Sequence, residues 1–411
     1  MKRKTVMAEM PQPGPNAVFT RRHDLDWLRI AAFAILIFYH VGMFFVTWGW
    51  HVKSPDANEG PELLMRLVNP WRLALLFFIS GVALRFLADK IGSAAMARDR
   101  FVRIAPVIVF GMVVLVMPQT WFELRQAGAI GPDFLAFYGD YLRPNVLHGL
   151  ITPTWNHLWY VVYLLVYSLL LAPFIPGLRA LGESGLGRFV GGLWSSRFGP
   201  VLLLVLPVLP FIAYRLWLDP VFPTTHALID DWANHAHRLT ILLIGFWAAK
   251  SPAFWGGVRR ALSLALVYAV FYGLVYAWAV ARPGADWEGQ EALLWAVRLG
   301  RIVYAWAVIL TLLGLAQRFL SRDGSARRYL TEAIFPFYIL HQTITVAAGY
   351  YIAQAGWGVW TQFLVLVSVT LAGCMIGFEL IRRVAWLRPV FGLKVGGRQL
   401  AYKRNKIPQR Q

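Results

Sequence analysis

Long apolar runs broken by short polar stretches recur from about residue 28 to residue 381. Runs of that length exceed what a soluble core helix needs and match the thickness of a bilayer. The pattern predicts ten spans, at 28–49, 71–88, 103–120, 157–176, 199–217, 238–250, 260–281, 295–317, 333–353 and 359–381, the sixth short and beside a polar stretch. The longest connections, 119–157 and 215–238, have room for short lid elements but not for a separate soluble domain. Residues 1–20 and 388–411 are polar and rich in Pro, Gly, Lys and Arg. They read as a flexible N-terminus and a basic tail around one membrane domain over 21–387.

Charge sets the expected orientation. With both termini placed in the cytoplasm, 30 of the 40 lysines and arginines fall in segments assigned inside and 10 in those assigned outside. That asymmetry is the positive-inside pattern, and losing one span would scramble it. The expected fold class is therefore all-α: a polytopic inner-membrane protein of about ten transmembrane helices with both termini cytoplasmic. The first span lacks an A-x-A-like cleavage site and continues through bulky residues to Trp50, so it reads as a retained helix. Only 15% of residues are charged, against about 25% in soluble domains. The net charge of +19 would point a soluble protein toward nucleic acid; here it lies in short loops facing anionic lipid, and no nucleic-acid partner is expected. The single cysteine, Cys374, rules out an intramolecular disulfide and a cysteine-based zinc site.

The candidate chemistry starts on the first span. Arg29 and His40 are eleven residues apart, roughly three turns and 20°, so they share a helix face with the imidazole about 16 Å deeper. An ionisable residue at that depth is costly and marks a functional site by default. Arg100 and Arg103 share a face at the start of the third span, where a helix N-terminus adds its own attraction for anions. Ser80-Gly81 sits in the second span, His157 and Trp159 open the fourth, and His341 lies near the middle of the ninth.

These motifs resemble those of acyltransferase family 3, integral-membrane enzymes that decorate glycans and other extracytoplasmic acceptors. Arg29-x10-His40 is similar to its R-x10-H pattern, Arg100-Phe-Val-Arg103 to R-x-x-R, and Phe77-Phe-Ile-Ser-Gly81 to FF-x-SG. His157-Leu-Trp-Tyr160 and Tyr338-Ile-Leu-His341 resemble two further signatures, and the likeness covers about residues 22–382 in order. The stretch from His40 to His51 looks most like the subgroup that modifies periplasmic glucans. The resemblance implies an acyl coenzyme A donor, acetyl- or succinyl-coenzyme A, reached from the cytoplasm, and an extracytoplasmic glycan acceptor. It implies catalytic His40 and Arg29, donor-binding Arg100 and Arg103, and substrate contacts at Ser80, His157, Trp159 and His341.

The residues leave alternatives beside those roles. His40 is a general base or a transiently acylated nucleophile, and sequence does not separate the two. Arg29 is a donor-site cation or an anchor tethered by Asp26. Ser80-Gly81 allows close helix packing or supplies a hydroxyl. His157 is an interfacial structural residue or stands at the acceptor entrance; His341 orients His40 or lines the pathway. His226, Asp230, Asp231, His235 and His237 share one outside loop without a zinc motif; they read as solvated, with glycan contact a second use for them and for Glu288 and Glu291. No metal site is expected. Nucleotide-binding glycine loops and a serine-hydrolase elbow are missing from the sequence. A transporter with Arg and His gating would move donor or glycan without covalent chemistry and would not account for the R-x-x-R spacing; a scaffold would tolerate loss of His40.

Overall fold

The computed structural model describes residues 22–280 and 289–394. In chain order the helices are α1 (His23–Met43), α2 (Glu62–Ile91), α3 (Ser93–Phe110), α4 (Met117–Gln126), α5 (Phe134–Tyr141), α6 (Trp159–Leu171), α7 (Ile175–Glu183), α8 (Gly185–Ser195), α9 (Gly199–Val205), α10 (Leu209–Trp217), α11 (Trp232–Ala248), α12 (Pro252–Val280), α13 (Glu291–Phe319), α14 (Ser325–Ile352), α15 (Val359–Arg383) and α16 (Leu387–Val390). The described strands are one hairpin in the first long loop, β1 (Asn145–Leu147) against β2 (Leu150–Thr152).

Each of the ten predicted apolar segments falls mostly in helix, but only eight helices among the described residues are long and apolar enough to cross a bilayer. α11 has 17 residues. α14 is long, yet it carries Arg327, Arg328 and Glu332 in its first turns and His341, Gln342 and Thr343 further along. The structure is thus an all-α, multi-pass membrane protein with eight candidate spans. Val267, Phe271 and Leu274 on α12 and Leu364, Ile376 and Leu380 on α15 are exposed, as lipid-facing residues should be. The predicted N-terminal segment 1–20 and the tail beyond 394 lie outside the described residues. The tail was expected to begin at 388; instead α16 packs back, with buried Phe391 edge-on to Phe110 at 5.4 Å.

Two boundaries differ from the pattern for physical reasons. The first span was expected to run to 49, but α1 stops at Met43. The Lys53 ammonium donates to the carbonyls of Met43, Val46 and Trp48, satisfying groups that a continuing helix would have bonded internally. The following loop folds inward and buries Phe44, Val46 and Val52. The second span was expected to start at 71, leaving Arg72 at its edge; α2 starts at Glu62 and runs through Pro70, so Arg72 is inside it and buried.

α1 and α14 are joined at both ends. Near one end Arg327, 2% exposed, reaches Asp26 at 2.5 Å and Asp323 at 2.7 Å. Near the other, His40 meets His341. Between α3 and α4 the Gly111–Val116 stretch is π-helical, and the carbonyls it frees are taken by the Tyr141 hydroxyl at Met112 (2.9 Å) and the Thr343 hydroxyl at Leu115 (2.7 Å).

Candidate active site

His40 Nδ1 lies 2.8 Å from His341 Nε2, with the two rings 4.9 Å apart and 14° from parallel. The other His341 nitrogen, Nδ1, is 2.6 Å from the Tyr338 carbonyl. A carbonyl only accepts, so His341 carries its proton on Nδ1 and presents a lone pair at Nε2. His40 must then donate from Nδ1, which leaves the lone pair of His40 on Nε2. This tautomer follows from the hydrogen-bond pattern. His341 has no exposed surface, whereas His40 keeps some. The arrangement is one that could serve a base or nucleophile with an orienting partner, and 301 positions separate the two in sequence.

A polar wall fixes the surroundings. The Gln342 amide nitrogen sits 2.9 Å from His51 Nε2 and donates to Gln119 Oε1 at 3.0 Å. His51 pairs through Nδ1 with Glu123. Gln119 donates to Thr343 at 2.8 Å and to His157 Nδ1 at 3.5 Å, while His157 Nε2 donates to the Ile339 carbonyl at 3.2 Å. The Tyr338 hydroxyl bonds the His157 carbonyl at 2.5 Å. His157, read as an interfacial structural residue or as standing at the acceptor entrance, is buried with both ring nitrogens engaged, linking the start of α6 to α14. Arg72, Gln119 and Gln342 were overlooked, although polar residues inside apolar runs are the signal that would have found them.

Toward the opposite end, Arg29 lies 3.7 Å from Asp26, whose shorter partner is Arg327. Arg29 and Arg100 are electrostatic neighbours of each other and of Tyr160, whose hydroxyl bonds Ser80 Oγ at 2.7 Å. The buried Nε of Arg100 has no hydrogen-bond partner among the described residues. Arg103 differs: it is 47% exposed and held by Asp99 at 2.8 Å. The small neighbour of Ser80, Gly81, packs against the backbone of α11. Ser80 therefore carries a hydroxyl contact while Gly81 carries the close approach.

The loop before α11, read as solvated, is exposed at Asp230 but not at Asp231. Asp231 is fully buried and accepts from the Tyr163 hydroxyl (2.6 Å), the Asn234 amide (2.7 Å) and the backbone N–H groups of Thr225 and His226. Those donors hold its carboxyl below the usual carboxylate range. His235 is fixed between the Tyr167 hydroxyl and the Leu228 carbonyl. Trp159 is buried against His226, ring centres 4.2 Å apart. Glu291 is exposed, and Glu288 lies outside the described residues.

Burial lowers His226 to about 4. Its folded value lies below the unfolded 6.5, so its contribution to stability is complete above about pH 6.5 and is lost as pH falls toward 4. The thermal midpoint of the wild type is expected to drop between pH 7 and 5 more than that of His226→Asn, a residue that tolerates the left-handed φ of 58° at this position. Equal pH dependence in the two proteins would rule out His226 as the cause.

Comparison with known proteins identifies the family. Residues 22–379 match the acyltransferase family 3 model, described as an acyltransferase domain. Glucans biosynthesis protein C of Escherichia coli strain K12 is 20% identical over 391 residues, covering 91% of this chain and 95% of that protein. Its counterpart in Escherichia coli O1:K1 is 19% identical over 378 residues with the same coverage. No solved structure gives a significant match. The family match spans both the His40–His341 pair and the arginine cluster, so the chain belongs to acyltransferase family 3 and is a multi-pass membrane acyltransferase.

Proposed function

We propose that this enzyme moves an acetyl or succinyl group from cytoplasmic acyl coenzyme A to a hydroxyl of an extracytoplasmic glycan. The observation carrying this reading is the hydrogen-bond chain from the Tyr338 carbonyl through His341 to His40, which leaves Nε2 of His40 as its unprotonated nitrogen. In this reading all ten apolar segments span the inner membrane with both termini cytoplasmic. The end where α1 begins is then the donor side, and the end where it finishes is the acceptor side.

Arg100, with its unpartnered buried nitrogen, and Arg29 beside it face the donor's phosphates or thioester; Arg103 contributes at the mouth. The Ser80–Tyr160 hydroxyl pair lies between that cluster and His40 along the donor arm. His40 Nε2 removes the acceptor hydroxyl proton as the oxygen attacks the thioester carbonyl. The C–S bond then breaks, and the coenzyme thiolate takes the proton from the imidazolium. In the two-step variant Nε2 itself attacks, the thiolate leaves, and the acceptor oxygen displaces the imidazole while its proton passes to the thiolate. Arg72, an electrostatic neighbour of His40, is placed to stabilise the oxyanion of either route. The glycan assignment draws on the name of the Escherichia coli relative and on the resemblance of the His40–His51 stretch.

The test uses full-length protein in nanodiscs with labelled acetyl- or succinyl-coenzyme A and a β-glucan oligosaccharide. Thiol release with label on the oligosaccharide is expected. Donor or glycan crossing the bilayer without a new covalent bond would overturn the reading in favour of transport. In the same assay Arg100→Gln is expected to raise the donor KM by about 10- to 100-fold, the worth of a charge-assisted hydrogen bond of about 1.5–3 kcal/mol. Arg103→Gln should cost less, because Asp99 and solvent already share its guanidinium. Equal effects from the two variants would contradict that division.

A further inference from the structure

A 460 Å³ cavity lies between α2, α10, α11 and α13, apart from His40. Four arginines line it, Arg215, Arg238, Arg298 and Arg301, against one carboxylate, Asp219. That carboxylate is already engaged by Arg215 and by His237 Nε2, each at 3.0 Å. Arg238 donates to the neutral Asn234 amide oxygen at 2.8 Å. Arg298 has the Trp295 ring 5.3 Å away, and neither it nor Arg301 has a carboxylate within ion-pair distance among the described residues. Arg72 lies outside the lining, its guanidinium over the Tyr39 ring at 3.5 Å, and is an electrostatic neighbour of Arg238. Its buried Nε and Nη1 have no hydrogen-bond partner among the described residues.

The lining changes character with depth. On α13, Arg298, Arg301, Ile302, Ala305 and Ile309 share one face, cationic where the helix begins and apolar about 16 Å further in. α11 repeats the order, with Asn234 and Arg238 followed by Ile241. The cations therefore ring the end of the bundle at which α1 finishes, above an apolar floor. Guanidinium groups drawn from water without enough carboxylates are costly, and an anion supplied from outside would offset that cost.

We infer that this cavity binds an anionic amphiphile. Its phosphate or carboxylate sits among Arg238, Arg298 and Arg301, and its hydrocarbon part lies along Ile302, Ala305 and Ile309. The test measures lipid binding by native mass spectrometry on full-length protein stripped in a neutral sugar detergent, with no acyl donor or acceptor present. Failure here therefore leaves the acyl-transfer reading untouched. The wild type is expected to bind phosphatidylglycerol at least tenfold more tightly than phosphatidylcholine of the same chains, and glycerol 1-phosphate at equal concentration should not displace it. Arg298→Gln/Arg301→Gln should lose the headgroup preference, and Ala305→Trp, which fills the floor, should lose both lipids while keeping acyl transfer. Equal binding of the two lipids, or a preference retained in the arginine variant, overturns the anion site. Displacement by glycerol 1-phosphate overturns the amphiphile.

Discussion

Replacing His40 with alanine is expected to lower acyl transfer by about 10²- to 10⁴-fold, the usual worth of a positioned base, while donor binding stays within about twofold. The magnitude rests on geometry: the reactive edge is Nε2, because Nδ1 is committed to His341 at 2.8 Å. The companion variant His341→Phe keeps the ring and its packing but removes the acceptor. His40 Nδ1–H then has no partner, the two tautomers become comparable, and kcat should fall by about 10²-fold with KM for the donor unchanged. His341→Gln offers a side-chain carbonyl to the same N–H and should recover part of the loss. A merely structural His341 would give no such recovery and would show its cost in the thermal midpoint instead. Full transfer by folded His40→Ala would remove the histidine from the chemistry altogether.

How much of this was legible in sequence depends on the range of each interaction. The Arg29–His40 relation is set by helical period alone and needs nothing beyond α1. The His40–His341 contact joins residues 301 positions apart, and no local pattern encodes which apolar helix will lie beside which. Arg72 was overlooked because the second apolar run was read from residue 71, which left it at the edge; α2 runs from Glu62 through Pro70. The end of α1 was overestimated because Phe44 to Trp50 continues the apolar run, and hydropathy does not register a lysine nine residues beyond Phe44 that caps the freed carbonyls. Asp231 was read as solvated by its type, yet four donors from the loop and from α6 and α11 make its burial tolerable. α14 falls short of a hydropathy span for a related reason: the polar residues among its apolar ones lower its hydropathy.

The largest stability effect is expected at Gly81 rather than at any charged residue. A Cβ there would lie 1.9 Å from the Leu242 carbonyl oxygen, and one on Gly245 would lie 2.1 Å from the Phe78 carbonyl oxygen. α2 and α11 thus touch backbone to backbone at two reciprocal points, as small residues permit where helices meet in a membrane. Neither obstacle is a flexible side chain, so an added methyl must push the helix axes apart. Gly81→Ala is expected to cost about 3 kcal/mol or more, above the usual 1–3 kcal/mol of overpacking because backbone cannot rotate away. It should also lower transfer in the protein that still folds, since α2 carries Ser80 toward Tyr160 and Arg72 toward Tyr39, over whose ring the guanidinium lies at 3.5 Å. Gly177→Ala in α7, where a Cβ meets nothing within 4 Å, should leave the midpoint unchanged or slightly raised. Ser80→Ala should affect transfer without the loss of stability. Thermal midpoints in nanodiscs, read beside the transfer assay, check all three; a wild-type midpoint for Gly81→Ala would mean that α2 and α11 are not in backbone contact.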